Sequence, residues 1–166
     1  DSAVESIATS GSNIFVGGDF THMNGGTSRD HLAKISTTGD GTVNAWNPGA
    51  DAEVRTLATD GLAVYAGGQF THAGGSPRNH IAKFSASGAG TLDPTWNPDA
   101  NDSVWSIDVS GADLIVGGSF SGANSIGGAD RNRIAKLATS SGAVDPSWNP
   151  NANDTVRAVQ AHYGVV

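Results

Sequence analysis

The apolar positions of the chain fall into short runs, and one of these runs returns twice at a fixed interval. Ile14-Phe15-Val16 leads into Gly17-Gly18, a polar residue and Phe20. Val64-Tyr65-Ala66-Gly67-Gly68-Gln69-Phe70 and Leu114-Ile115-Val116-Gly117-Gly118-Ser119-Phe120 repeat it, each 50 residues further on. β-Branched and aromatic residues suit a pleated surface, and an unbroken apolar run means burial on both faces, so each stretch predicts a strand. A glycine pair inside a strand marks a bulge or the close approach of another backbone. Before each stretch, Val4-Glu5-Ser6-Ile7-Ala8 and its counterparts at 54–58, 104–108 and 156–160 predict a first strand, with Gly11, Gly61 and Gly111 in the turn. After a longer loop, 31–35, 80–84 and 133–137 predict a third. A fourth ends in Trp46-Asn47-Pro48, Trp96-Asn97-Pro98 and Trp148-Asn149-Pro150, where a proline costs no ladder bond.

Four strands in about 50 residues is the arithmetic of a β-propeller blade, whereas solenoid repeats are usually shorter. The expected fold is all-β, with three four-stranded antiparallel blades at 4–53, 54–103 and 104–155. The first strand of a fourth opens at 156–166, all within one segment spanning 1–166. Propellers usually close with four to eight blades. Three blades leave open faces, so either the parent chain supplies the remaining blades or the segment self-associates. The chain opens at Asp1 without a Met, as expected of a processed or excised piece of something longer.

The landmarks Gly-Gly-x-Phe, a second Gly-Gly, Arg-x-x-[Ile/Leu]-Ala-Lys and Trp-Asn-Pro keep their order in all three units. Together they make the chain resemble the bacterial delta-60 repeat family of β-propellers over essentially its whole length. The third unit departs where 121–126 replaces the Thr-His entry to the long loop. The resemblance implies a repeat module of large secreted or surface-attached bacterial proteins, hence an extracellular or cell-surface location, generally without an assigned activity.

Composition narrows the function. With 15% charged residues, 23 Gly and many Ser, Thr, Asn and Asp, the chain suits short strands and tight turns rather than a helical bundle. Nine basic against sixteen acidic residues give a net charge of −7, which leaves no basic surface for phosphate neutralisation, so nucleic acid is not an expected partner. No apolar run approaches the roughly 20 residues that span a bilayer, so no membrane insertion is expected. Absent cysteine removes disulfides and thiolate metal sites.

In an antiparallel meander, the loops between strands two and three share one end with the connections between blades. That end carries the longer loops, 21–30 and 71–79, beside the acidic segments 49–53, 99–102 and 151–154. It is the expected ligand face, since binding residues concentrate on loops held by a rigid scaffold. The ligand-binding candidates there are His22, Arg29, Asp30, His72 and Arg78. Each has a structural reading beside it. Arg29, Arg78 and Arg131 recur at one repeat position, which argues for an ion pair or a carbonyl clamp, while histidines in neighbouring blades stand too far apart for one Zn²⁺.

Trp46, Trp96 and Trp148 are locked to the repeat and expected between blades. Trp105 stands where the other units have Glu5, Arg55 and Arg157, and is the aromatic to consider for protein or glycan binding. The Asp and Asn clusters offer hard oxygens for Ca²⁺, yet match no known calcium loop, and Asx turns account for them. No cofactor is therefore expected. No catalytic constellation is present: no nucleophile elbow, phosphate loop or His-Glu-x-x-His. The leading expectation is a non-catalytic scaffold and binding module. The alternative is part of a secreted carbohydrate-active or other enzyme whose catalytic residues lie outside this segment.

Overall fold

The computed structural model describes residues 2–161. Every regular element among them is a strand. β1 (Val4–Ser10), β2 (Asn13–Gly18) and β5 (Leu32–Ser36) form one antiparallel sheet, ordered β1-β2-β5. β6 (Val54–Thr59), β7 (Ala63–Gly68) and β10 (Ile81–Ser85) form the second. β11 (Val104–Ser110), β12 (Asp113–Gly118) and β13 (Ile134–Ala138) form the third. In each, the Gly-Gly strand lies in the middle, as its two-sided apolar character requires. The long loops are not irregular: β3 (His22–Met23) pairs with β4 (Thr27–Ser28), and β8 (His72–Ala73) with β9 (Ser76–Pro77).

The two glycines of each pair do different work. Opposite Gly17 and Gly18 the register of β1 slips between Val4 and Ser6, leaving Glu5 as the extra residue of a β-bulge; Arg55 and Trp105 hold the same place in β6 and β11. At the second glycine the bulged strand comes so close that a Cβ on Gly18 would lie on the Ala3 carbonyl oxygen and 3.0 Å from the Val4 Cα. At the first glycine the intruder is the next unit. A Cβ on Gly17 would meet Val54 Cγ1 at 2.7 Å and Leu57 Cγ at 3.2 Å, and one on Gly67 would meet Ile107 Cδ1 at 2.9 Å. The missing side chain is thus a slot into which the next unit inserts two apolar residues.

A hydrogen bond accompanies each insertion. The Leu57 N–H donates to Ser6 Oγ at 2.9 Å, and the Ile107 N–H to Thr56 Oγ1 at 3.0 Å. The core lies between the sheets. Phe15, Leu32 and Trp46 of the first unit pack on Val64, Ala66, Ala82 and Phe84 of the second. Tyr65, Ile81 and Trp96 pack in turn on Leu114, Val116, Ala135 and Leu137 of the third.

Two expectations are corrected. The sheets have three strands, not four: the fourth is reduced to a single bridge, Ile35 with Val43, Phe84 with Leu92 and Leu137 with Val144. Side chains take over the backbone just past it. Asp93 Oδ1 accepts the N–H groups of Thr95 and Trp96, and Asp145 Oδ1 that of Ser147, local bonds that compete with a ladder. Similarly, 156–160 is not a strand in any sheet. Its Val156 and Val159 nevertheless stand over Gly117, where a Cβ would meet their Cγ1 atoms at 2.7 and 3.1 Å, and the Val159 N–H donates to Ser106 Oγ at 3.0 Å. Among the described residues the segment takes its seat over Gly117 without joining a ladder.

Gly67→Ala forces a methyl into Ile107 and Thr56, and is expected to cost about 1–3 kcal/mol. Leu62→Ala, at a position 86% exposed, is expected to stay within about 0.5 kcal/mol. Urea unfolding of the two variants checks the contrast.

Candidate functional site

The long-loop end is built from the connections between units. The Asp51 N–H donates to the His72 carbonyl, the Gly74 N–H to Gly49 and the Ala50 N–H to Asp30, so that 49–51 is stitched to both neighbouring loops. The Asp51 carboxylate completes the join by accepting from the Thr71 and His72 N–H groups at 2.8 and 3.0 Å, the Thr71 hydroxyl at 2.8 Å and His72 Nδ1 at 3.2 Å. Partial burial raises its pKa, but these bonds outweigh that and hold it down to about 2. At the join of the second unit to the third, Asn101 replaces the carboxylate, accepting from the Ser121 N–H and donating to its carbonyl.

The candidates separate into three kinds. Asp30 and His72 come together, lining with Gly49, Asp51 and Ala73 an open cleft of about 340 Å³. His22 lies apart, in a cleft of about 450 Å³ with Ser2, Phe20 and Met23. The arginines are spent inside their units. Arg29 donates to the carbonyls of Ser28 and Asn44, both at 2.6 Å. Arg78 donates to Pro77 at 2.7 Å and to Asp93 and Pro94, and Arg131 to Asp130 and Asp145. Arg78 and Arg131 are 7% and 8% exposed, and each guanidinium pins the turn that would otherwise be a fourth strand.

Trp105, partly buried, stands on the bulge of β11 with two guanidinium groups over its ring: that of Arg55 lies 4.0 Å from the ring centroid and that of Arg157 4.6 Å. Its Nε1 donates to Ser119 Oγ at 2.8 Å, and Arg55 pairs with Glu53 at 2.6 Å. Cation–π stacking with the arginines of the bulges on either side in sequence accounts for the ring. The sequence shows which residues differ at this position but not that the bulge aims them at one another. Among the described residues no group of three or more His, Cys, Asp or Glu side chains is placed to hold a metal ion.

The two fully buried tryptophans, Trp46 and Trp96, seal the joints. Trp46 Nε1 donates across to the Ser85 carbonyl at 2.7 Å and Trp96 Nε1 to that of Ala138 at 3.3 Å. Lys34 and Lys83 likewise reach the carbonyls of Ala86 and Thr139 in the following unit, both at 3.0 Å.

An all-β chain of repeated antiparallel sheets, each seated in the glycine slot of the one before, is arranged like successive blades of a β-propeller. Two of its stretches, 64–95 and 113–147, match the family described as a domain of unknown function (DUF5122) β-propeller. Both run from the Gly-Gly strand to the turn before the tryptophan, in the second and third units. No curated protein matches the chain.

The Asp51 pKa lies below the roughly 3.9 of an unfolded chain. Its contribution to stability is therefore complete above about pH 4 and is lost as the pH falls through about 2. Asp51→Asn is expected to lose about 1 kcal/mol at pH 7, a gap that narrows as acid is added. Urea midpoints between pH 7 and pH 2 measure it.

Proposed function

We propose that the chain is a non-catalytic propeller segment of a larger secreted or surface-attached protein, acting as a scaffold that presents the long-loop end to a protein or glycan ligand. The observation that carries this is where the chemistry-bearing side chains go. The arginines clamp carbonyls within their units, two lysines and two tryptophans tie units together, and Trp105 carries two guanidinium groups over its ring. The arginines, lysines and buried tryptophans each perform the same task as their counterparts in the next unit, which is the behaviour of framework. Asp30 and His72 differ in being exposed and gathered at one cleft beside Asp51, to which His72 is also bonded. The exposed Asp30 carboxylate and the outer side of the His72 ring, on a loop that Asp51 holds in place, suit a ligand rich in hydroxyl or ammonium donors.

The test is a screen of the chain against immobilised glycans and peptides, followed by titration of any ligand found. Asp30→Asn and His72→Ala are expected to weaken binding at least tenfold, whereas Trp105→Ala leaves affinity unchanged. Binding that survives both cleft substitutions, or turnover of a bound glycan, would overturn the proposal.

A further inference from the structure

The Ala-Lys pair of each unit sets Lys34, Lys83 and Lys136 at one place in three successive sheets. Two of the three have carboxylates beside them. Lys83 Nζ lies 3.4 Å from Asp93, and Lys136 Nζ lies 2.6 Å from Asp145 and 3.9 Å from Asp113. Lys34 is 9% exposed, donates from Nζ to the Ala86 carbonyl at 3.0 Å and stands 5.7 Å from the Phe15 ring centroid. Among the described residues no carboxylate comes within ion-pair distance of it.

The difference is written at three positions around the lysine. Where the first unit has Ser10, Phe15 and Asn44, the second has Asp60, Tyr65 and Asp93. The Asp60 carboxylate accepts the Leu62 and Ala63 N–H groups at 2.9 and 2.7 Å and the Tyr65 hydroxyl at 2.9 Å. Burial raises its pKa, but those bonds, with the Lys83 charge adding to them, hold it below the usual carboxylate value. In the first joint the same corner is open: Ser10 and Lys34 line, with Phe15, Leu62, Ala86 and Ser87, a cleft of about 310 Å³. Its walls are the first sheet and the short turns of the second, so it lies between two joined units, at the end opposite the long loops.

An ammonium withdrawn from water without a counter-charge is costly, and a carboxylate brought to it makes a charge-assisted hydrogen bond. We propose that this cleft binds a small organic carboxylate, whose oxygens take the place that the Asp60 side chain holds in the second unit, accepting from Lys34 Nζ and the Ser10 hydroxyl. The rim selects the rest of the ligand. Leu62, 86% exposed in a turn where the other units have Ser12 and Ala112, lies along the cleft and offers an apolar wall to a short aliphatic chain.

Sodium butyrate is the probe, with butyramide as its uncharged counterpart and sodium sulfate as an inorganic anion, all at constant ionic strength. Amide chemical shifts of 61–62 and 86–88 in the full chain read the binding. Butyrate is expected to shift them saturably with a Kd of about 1–10 mM, as suits a ligand of about six non-hydrogen atoms, and butyramide and sulfate to bind at least tenfold more weakly. Leu62→Ala should weaken butyrate severalfold and leave acetate unchanged. Lys34→Met should lose butyrate binding. Ser10→Asp supplies the carboxylate from within the chain while keeping Lys34, and should abolish butyrate binding and raise the urea midpoint, a comparison that does not need Lys34→Met to fold. No saturable shift with butyrate, equal binding of butyramide or sulfate, or undiminished butyrate binding by the Ser10→Asp chain would each overturn the proposal. None of these outcomes depends on ligand binding at the long-loop end.

Discussion

The structure depends on a side chain that is not there. Where Gly17 and Gly67 leave a strand without a Cβ, the following unit lowers a valine and a second aliphatic residue onto bare backbone, and the neighbouring Ser or Thr hydroxyl takes an N–H that would otherwise face apolar surface. An unpaired buried N–H costs about as much as a lost hydrogen bond, so slot and hydroxyl act together. Everything outside this joint follows from its geometry. The sheets are brought close enough for Trp46 to sit edge-on between Phe15 of its own unit, at 5.2 Å, and Phe84 of the next, at 6.2 Å. The lysines are left just within reach of the neighbouring turn.

Much of the fold was legible in the residues because it is written three times. The two-sided apolar run of 14–16 and its copies announced a central strand, and the glycine pair announced a bulge or a close approach; both occur, one at each glycine. The missing fourth strand was not legible from apolar pattern alone. Val43, Leu92 and Val144 are apolar and do bridge once, but what stops the ladder is an Asx side chain that accepts the N–H two residues further on, Asn44 from Trp46, Asp93 from Thr95 and Asp145 from Ser147, together with an arginine that clamps a carbonyl of the same turn. Competition between side chain and ladder is a matter of three-dimensional reach, and the sequence lists the competitors without saying which wins.

The candidate site was legible in a different measure. That Arg29, Arg78 and Arg131 serve the framework could be argued from their recurrence, and their carbonyl clamps supply the reason. That Asp30 and His72 share a cleft while His22 does not depends on how 49–51 is stitched between two loops, a set of backbone bonds invisible in composition. Trp105 stood out as an exception to the repeat, yet the bulge that turns it toward Arg55 and Arg157 is a property of the opposing glycines, not of Trp105 itself.

One detail of the joint carries further. In every case the acceptor hydroxyl, Ser6, Thr56 or Ser106, belongs to the earlier unit, and the donating N–H, of Leu57, Ile107 or Val159, to the later. The array therefore has a polarity, like a filament with distinct ends. Units can be gained or lost in a gene by duplication without redesigning any surface, because the leading side of every unit fits the trailing side of every other.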